Sequence, residues 1–141
     1  MADRKQSIQL AIGLVVCAAV LAVWIWIEQQ PVERVSPPPG KALAIDKSPG
    51  AQSERKAVLD RLIEQGHVRR YDRKGAATVQ VSLRPSFYEL DEKTRTKYLH
   101  EVYAYYFDGS STTDTLVLRD SRHGNNVGRY SPYGEGLVMY K

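Results

Sequence analysis

Asp120, Ser121 and His123 are the residue types of a hydrolytic triad: an acid to orient, a nucleophile to attack and a base to take its proton. Their spacing argues against that chemistry, because neighbours on one turn do not converge from separate elements to align the three groups. Asp and Ser side chains bond their own backbone at turns, and Gly124 supplies positive φ, so Asp120 to Asn126 reads as a turn. The remaining histidines, His67 and His100, fall at a helix end and on a helix surface, where ordinary solvated side chains are expected. The only cysteine is Cys17, outside the domain that holds the histidines. Zinc would announce itself by two ligands at i, i+4 on a helix or by Cys-x-x-Cys, and neither occurs. No Gly-x-Ser-x-Gly, phosphate loop or dinucleotide fingerprint is present. The sequence therefore predicts no metal, no cofactor and no enzyme activity. A small hydrolase using His123 or Asp120 stands as a third reading.

Arg69, Arg70, Arg73 and Lys74, with Tyr71 among them, form the one basic cluster. Cations beside an aromatic ring suit a polyanion, here an envelope polymer or anionic lipid headgroups. Asp72 interrupts the cluster, however, and from Gln52 onward fifteen Lys/Arg face twelve Asp/Glu, a net charge of only about +3. A charged, solvated hairpin edge explains the same residues. Nucleic acid and small-molecule substrates are not expected partners.

Nine tyrosines say more. Tyr98, Tyr103, Tyr105 and Tyr106 crowd one predicted helix, and Tyr130, Tyr133 and Tyr140 lie near the carboxyl end. Tyrosine is favoured at interfaces because its ring buries area while its hydroxyl stays hydrogen-bonded. Core packing accounts for part of the set. Tyr98, Tyr105, Tyr133 and Tyr140 are the expected partner-binding residues, with Tyr105 and Tyr133 expected to be exposed.

The elements that must position these side chains follow from periodicity. Ser53 can cap a helix in which Val58, Leu59, Leu62 and Ile63 share a face, with Gly66 as the stop. Val68 to Tyr71 and Thr78 to Arg84 flank Arg73-Lys74-Gly75 as a hairpin, the second strand alternating Val79, Val81 and Leu83 with polar residues. After Pro85, Ser86 to Glu89 matches a capping box and Asp91 is a rival cap for a second helix running to about Phe107. At 100° per residue, Leu99, Val102 and Tyr106 centre its apolar face, bordered by Tyr98 and Tyr105 on one side and Tyr103 and Phe107 on the other. That arc is about 200° wide, where packing on one sheet needs roughly 100°. Lys97 and Glu101 are spaced as an exposed pair. Leu116 to Arg119 and Val127 to Tyr130 bracket the Asp120 turn as a second hairpin, and Leu137 to Tyr140 adds a short final strand. The order α-β-β-α-β-β predicts an α+β domain over residues 53–141, with helices on one face of an antiparallel sheet.

Ahead of this domain, Ile8 to Ile27 is a stretch of twenty uncharged, mostly apolar residues. As a helix it spans about 30 Å, the thickness of a bilayer's hydrocarbon core. A cleavable signal peptide competes, but the small residues Ala18, Ala19 and Ala22 lie inside the stretch and Trp24-Ile25-Trp26-Ile27 follows them. Arg4 and Lys5 precede it and Glu28 follows, so the positive-inside bias places residues 1–7 in the cytoplasm and the domain in a bacterial periplasm or its equivalent, anchored in the inner membrane by one pass. Residues 28–52 hold Pro31, Pro37, Pro38, Pro39 and Pro49 and read as a stiff linker that lifts the domain from the bilayer.

The string Val79-x-Val81-x-Leu83-x-Pro85-x-Phe87-Tyr88-x-Leu90, then Lys97, Val102 to Phe107, and Leu118 to His123 with Gly124, Val127 and Gly128, resembles a pattern in small single-pass bacterial inner-membrane proteins of unassigned function. The resemblance implies a fold and an extracytoplasmic setting, and no active site. Together these features predict a membrane-anchored accessory or assembly subunit whose external domain binds another protein in a membrane complex. The basic-cluster module is the alternative.

Overall fold

In the computed structural model, residues 34–141 are described; the membrane helix expected at 8–27, the cytoplasmic end 1–7 and linker residues 28–33 lie outside them. Among the described residues no helix is long and apolar enough to cross a membrane.

The alternation of Val79, Val81 and Leu83 dictates a strand with one apolar face, and all three are fully buried. The elements run α1 (Pro49–Glu64), β1 (Val68–Arg73), β2 (Thr78–Leu83), α2 (Pro85–Tyr88), α3 (Glu92–Tyr106), β3 (Thr115–Asp120), β4 (Asn126–Ser131) and β5 (Gly136–Met139). The domain is α+β, with a five-stranded sheet in the order β1-β2-β3-β4-β5. The expectation of a purely antiparallel sheet is corrected. β2 and β3 pair in parallel, Thr78 beside Thr115 and Leu83 beside Asp120, while the other three pairs are antiparallel. The cause is the helical connection: α3 returns the chain to the end of the sheet where β2 began, so the next strand must run the same way as β2.

One sheet face carries the core. Val68, Val79, Val81, Leu83, Leu116, Leu118 and Tyr130 from the strands meet Leu59, Leu62, Phe87, Leu99, Val102, Tyr103 and Phe107 from the helical side. Burying each such side chain stabilises the fold by about 1.5–3 kcal/mol. The alternate residues, among them Gln80, Val117, Arg119 and Arg129, point to the other face, which no helix among the described residues covers.

Helix boundaries shift from the sequence expectation where capping decides them. Ser48, not Ser53, caps α1, its hydroxyl accepting from Ala51 N, so the helix takes in residues assigned to the linker. For α3 the rival cap wins: Asp91 accepts from Thr94 N at 2.9 Å and from Thr94 Oγ1 at 2.6 Å, leaving residues 85–88 as a separate single turn. Those bonds from Thr94 hold the Asp91 carboxyl below its usual range. A carboxylate so depressed contributes stability above its unfolded pKa, and loses it as pH falls through the folded value.

The centre of the α3 apolar face also lies elsewhere than expected. Tyr103 is fully buried, against Phe107 and Tyr130, while Tyr106 is half-buried at the border beside Tyr71. The wide arc is filled because α1 lies along α3 as well as on the sheet. Gln52 donates to Tyr105 O at 3.0 Å, and Glu101 meets Arg55 at 3.6 Å instead of pairing with Lys97.

Residues 34–48 form a strap laid on the domain, not a free-standing spacer. Arg34 bonds Asp114 at 2.9 Å, and Thr112 N donates to Val35 O at 2.7 Å. Leu43 N donates to the Tyr133 hydroxyl at 2.9 Å, and that hydroxyl donates to Gly109 O. Lys47 Nζ donates to Ala104 O and Tyr105 O at 2.9 Å and to Phe107 O at 3.3 Å. A cation there offsets the negative end of the α3 dipole and occupies carbonyls that have no helical partner. Burial lowers the Lys47 pKa from the ordinary lysine value.

Candidate functional site

The outer surface of the helical layer has two grooves, one on each side of α1. The first is walled by Pro49, Gln52, Ser53, Lys56, Asp60 and Tyr105. The second is walled by Glu54, Arg55, Val58, Lys97, Tyr98 and Glu101. Helical spacing sets this up. Tyr98 and Tyr105 are seven residues apart, so they lie two turns apart on the same flank of α3, and α1, crossing that flank between them, leaves one ring to each of its sides. Both rings are partly buried, with their inner edges against the core. Tyr105 is held edge-on to Tyr106 at a centroid separation of 5.1 Å. The rims carry both signs of charge: Lys56 bonds Asp60 at 2.8 Å beside Tyr105, and Arg55 lies beside Glu101 near Tyr98. Each groove thus sets an aromatic ring of fixed geometry inside a charged rim.

The other expected partner residues go elsewhere. Tyr133, expected to be exposed, is partly buried and clamps the strap through the two hydrogen bonds already described. It is a holding residue of the fold, and only half of the tyrosine set remains on the helical layer. Tyr140 is 51 % exposed and follows β5, at the far edge of the sheet.

The basic cluster does not converge on one face. Arg69 sits at a bulge in β1 and donates to Ser121 O. Arg70 pairs with Asp72 at 2.9 Å on the uncovered face. Arg73 turns to the helical side, donating to Tyr106 O with its guanidinium 5.8 Å from the centroid of Phe107, a cation–π contact. Lys74 is exposed in the turn that follows.

The Asp120 segment folds as the turn that its residues predict. Asp120 accepts from Arg122 N, His123 N and His123 Nδ1, the last at 2.8 Å, and Gly124 takes φ of +71°. Ser121 uses its N–H to close onto Leu83 O, and no hydrogen bond joins its hydroxyl to His123. The other two histidines are not simply solvated. His100 Nδ1 lies 3.0 Å from the Tyr130 hydroxyl, and His67 Nδ1 lies 3.1 Å from Ser86 Oγ. Ser86 gives its proton to Gly66 O at 2.7 Å, so the pair ties the turn between α1 and β1 to α2 without activating a nucleophile. Among the described residues, no three His, Cys, Asp or Glu side chains gather as a metal site would need.

Sequence reasoning missed Arg34, Lys47, Gly109 and Asp114, which seat the strap. Asp114 is fully buried, with no periodic pattern around it to mark it. Gly109 carried the one available signal, a glycine in a short loop; it takes φ of +76°, and Leu43 passes directly over it.

Compared with known proteins, the chain matches no protein-family model, no curated protein and no solved structure.

Proposed function

We propose that this chain is a single-pass membrane protein in which Ile8 to Ile27 spans the bilayer, the amino end is cytoplasmic, and the α+β domain stands outside as a non-catalytic accessory or assembly subunit that binds another polypeptide. The observation that carries the binding role is the placement of Tyr98 and Tyr105 in the two grooves that flank α1. Support for the anchor is the composition of residues 8–27. Because residues 34–48 are held on the domain, the length left for a spacer is residues 28–33, at most about 20 Å when fully extended.

A Tyr98→Ala, Tyr105→Ala double variant of the full chain, extracted in detergent from its native membrane, is expected to lose at least about tenfold of the co-purifying partner, since each aromatic anchor of an interface is worth about 1–2 kcal/mol. Both rings are only partly buried, so the helical content of the variant should be retained. Unchanged co-purification by a folded variant excludes this surface.

A further inference from the structure

The two edges of the sheet are built in opposite ways. β1 is guarded: it has a bulge at Arg69 and carries Arg70, Asp72 and Arg73, the usual devices that keep an edge from pairing with another strand. β5 has none of these. Gly136, Leu137, Val138, Met139 and Tyr140 are uncharged, contain no proline and show no register shift against β4. Tyr140 N donates to Val127 O, so the backbone groups of Tyr140, Val138 and Gly136 face β4. By alternation, those of Leu137 and Met139 face outward, where β5 has no neighbour among the described residues.

We infer that β5 pairs antiparallel with β5 of a second copy of this chain, with Val138 on the two-fold axis. In this register Leu137 stands opposite Met139 of the second copy, and both present outward N–H and C=O groups, so each such pair exchanges two hydrogen bonds. The ends select the register. Glu135 and Lys141 flank β5 at equal distances from Val138, so at each end of the pair an acid of one copy comes near the base of the other. Sliding the strands by one step in either direction that keeps the backbone groups matched takes Glu135 away from Lys141. The Glu135 carboxylate is 75 % exposed, and its one ion pair among the described residues, to Arg129, is at 3.9 Å, which leaves it available for a second cation. Val138 lies on the uncovered sheet face, because Leu137 and Met139 pack against the core. Two Val138 side chains then meet at a non-hydrogen-bonded position, the closest kind of cross-strand pair.

Such a strand pair is a small interface, so the test traps it covalently. The full chain with Cys17→Ser and Val138→Cys is oxidised mildly; the opposed positions, about 4.5 Å apart between Cα atoms, suit a disulfide. The expected result is a disulfide dimer of twice the chain mass, at least about tenfold more abundant than from Gln80→Cys on the same face. Adding Glu135→Lys should reduce the dimer severalfold, and adding Lys141→Glu to that variant should restore it. A folded Val138→Cys chain that stays monomeric overturns the pairing. So does equal dimer from Gln80→Cys, or capture of a different polypeptide at Val138→Cys, which would make another protein's strand the occupant. The pairing does not use the helical grooves, so loss of the partner in the tyrosine variants leaves this result unaffected.

Discussion

Gly128→Ala should destabilise the domain by about 3 kcal/mol, more than a single added methyl group costs at most positions. A Cβ at Gly128 falls 2.5 Å from the carbonyl oxygen of Val138, 3.0 Å from Met139 Sδ and 3.3 Å from Met139 Cα. The sulfur can swing away, but two of those three atoms belong to the β5 backbone. Relief requires β5 to move off β4, which breaks the hydrogen bonds on either side of the Gly128–Met139 pair, among them Tyr140 N to Val127 O, and withdraws Leu137 and Met139 from the core. For a domain of this size, 3 kcal/mol corresponds to a melting temperature about 12–20 °C lower. Gly134→Ala in the turn before β5 is the control, since nothing lies within 4 Å of its Cβ position and its φ is not positive. Thermal unfolding followed by circular dichroism decides the matter, and equal melting temperatures for the two variants would contradict the close approach.

Gly109→Ala should unseat the strap. Two costs combine there: the residue sits at φ of +76°, and its Cβ would fall 2.7 Å from Leu43 O and 3.0 Å from Leu43 Cβ. The left-handed backbone alone costs about 1–2 kcal/mol. Gly75→Ala isolates that part, because Gly75 has φ of +80° and open space around it. The overlap adds about 1–2 kcal/mol more at Gly109 and acts on Leu43, whose N–H is held by Tyr133. Once Leu43 lifts, Lys47 loses its seat on the α3 carbonyls. Limited trypsin digestion is the readout. Cleavage after Lys41 and Lys47 should accelerate at least about tenfold in Gly109→Ala relative to Gly75→Ala, while the remaining fragment keeps its helix and strand content. Equal cleavage rates would mean that the strap is not held at Gly109.

Both positions show where sequence and structure part. Patterns that act within one element were legible. The alternation of Val79, Val81 and Leu83, the pair Leu59 and Leu62, the turn at Asp120 to Asn126 and the short strand after Gly136 all follow from side chains a few positions apart. What the sequence concealed depends on partners far along the chain. Parallel pairing of β2 with β3 is decided by where α3 delivers Thr115. The proline-rich composition of residues 34–48 gives an extended backbone, but an extended strap held by Asp114, Tyr133 and the end of α3 has the same composition as a spacer in water. The centre of the α3 face went to Tyr103 instead of Tyr106 because a wide apolar arc leaves several orientations open, and the position of α1 selects among them. Among the tyrosines, residue type did not separate Tyr98 and Tyr105, which line the grooves beside α1, from Tyr133, whose hydroxyl finds its partners across two other segments.

On the proposed function, the helical layer, and not the open sheet face, meets a different polypeptide. The most direct measurement places a photoreactive phenylalanine analogue at Tyr105 of the full-length chain, irradiates intact native membranes and compares the adducts with those from the same analogue at Gln80. The expected result is one discrete adduct with a different polypeptide from position 105 and none from position 80. No adduct at 105, or the same adduct from both positions, would contradict it.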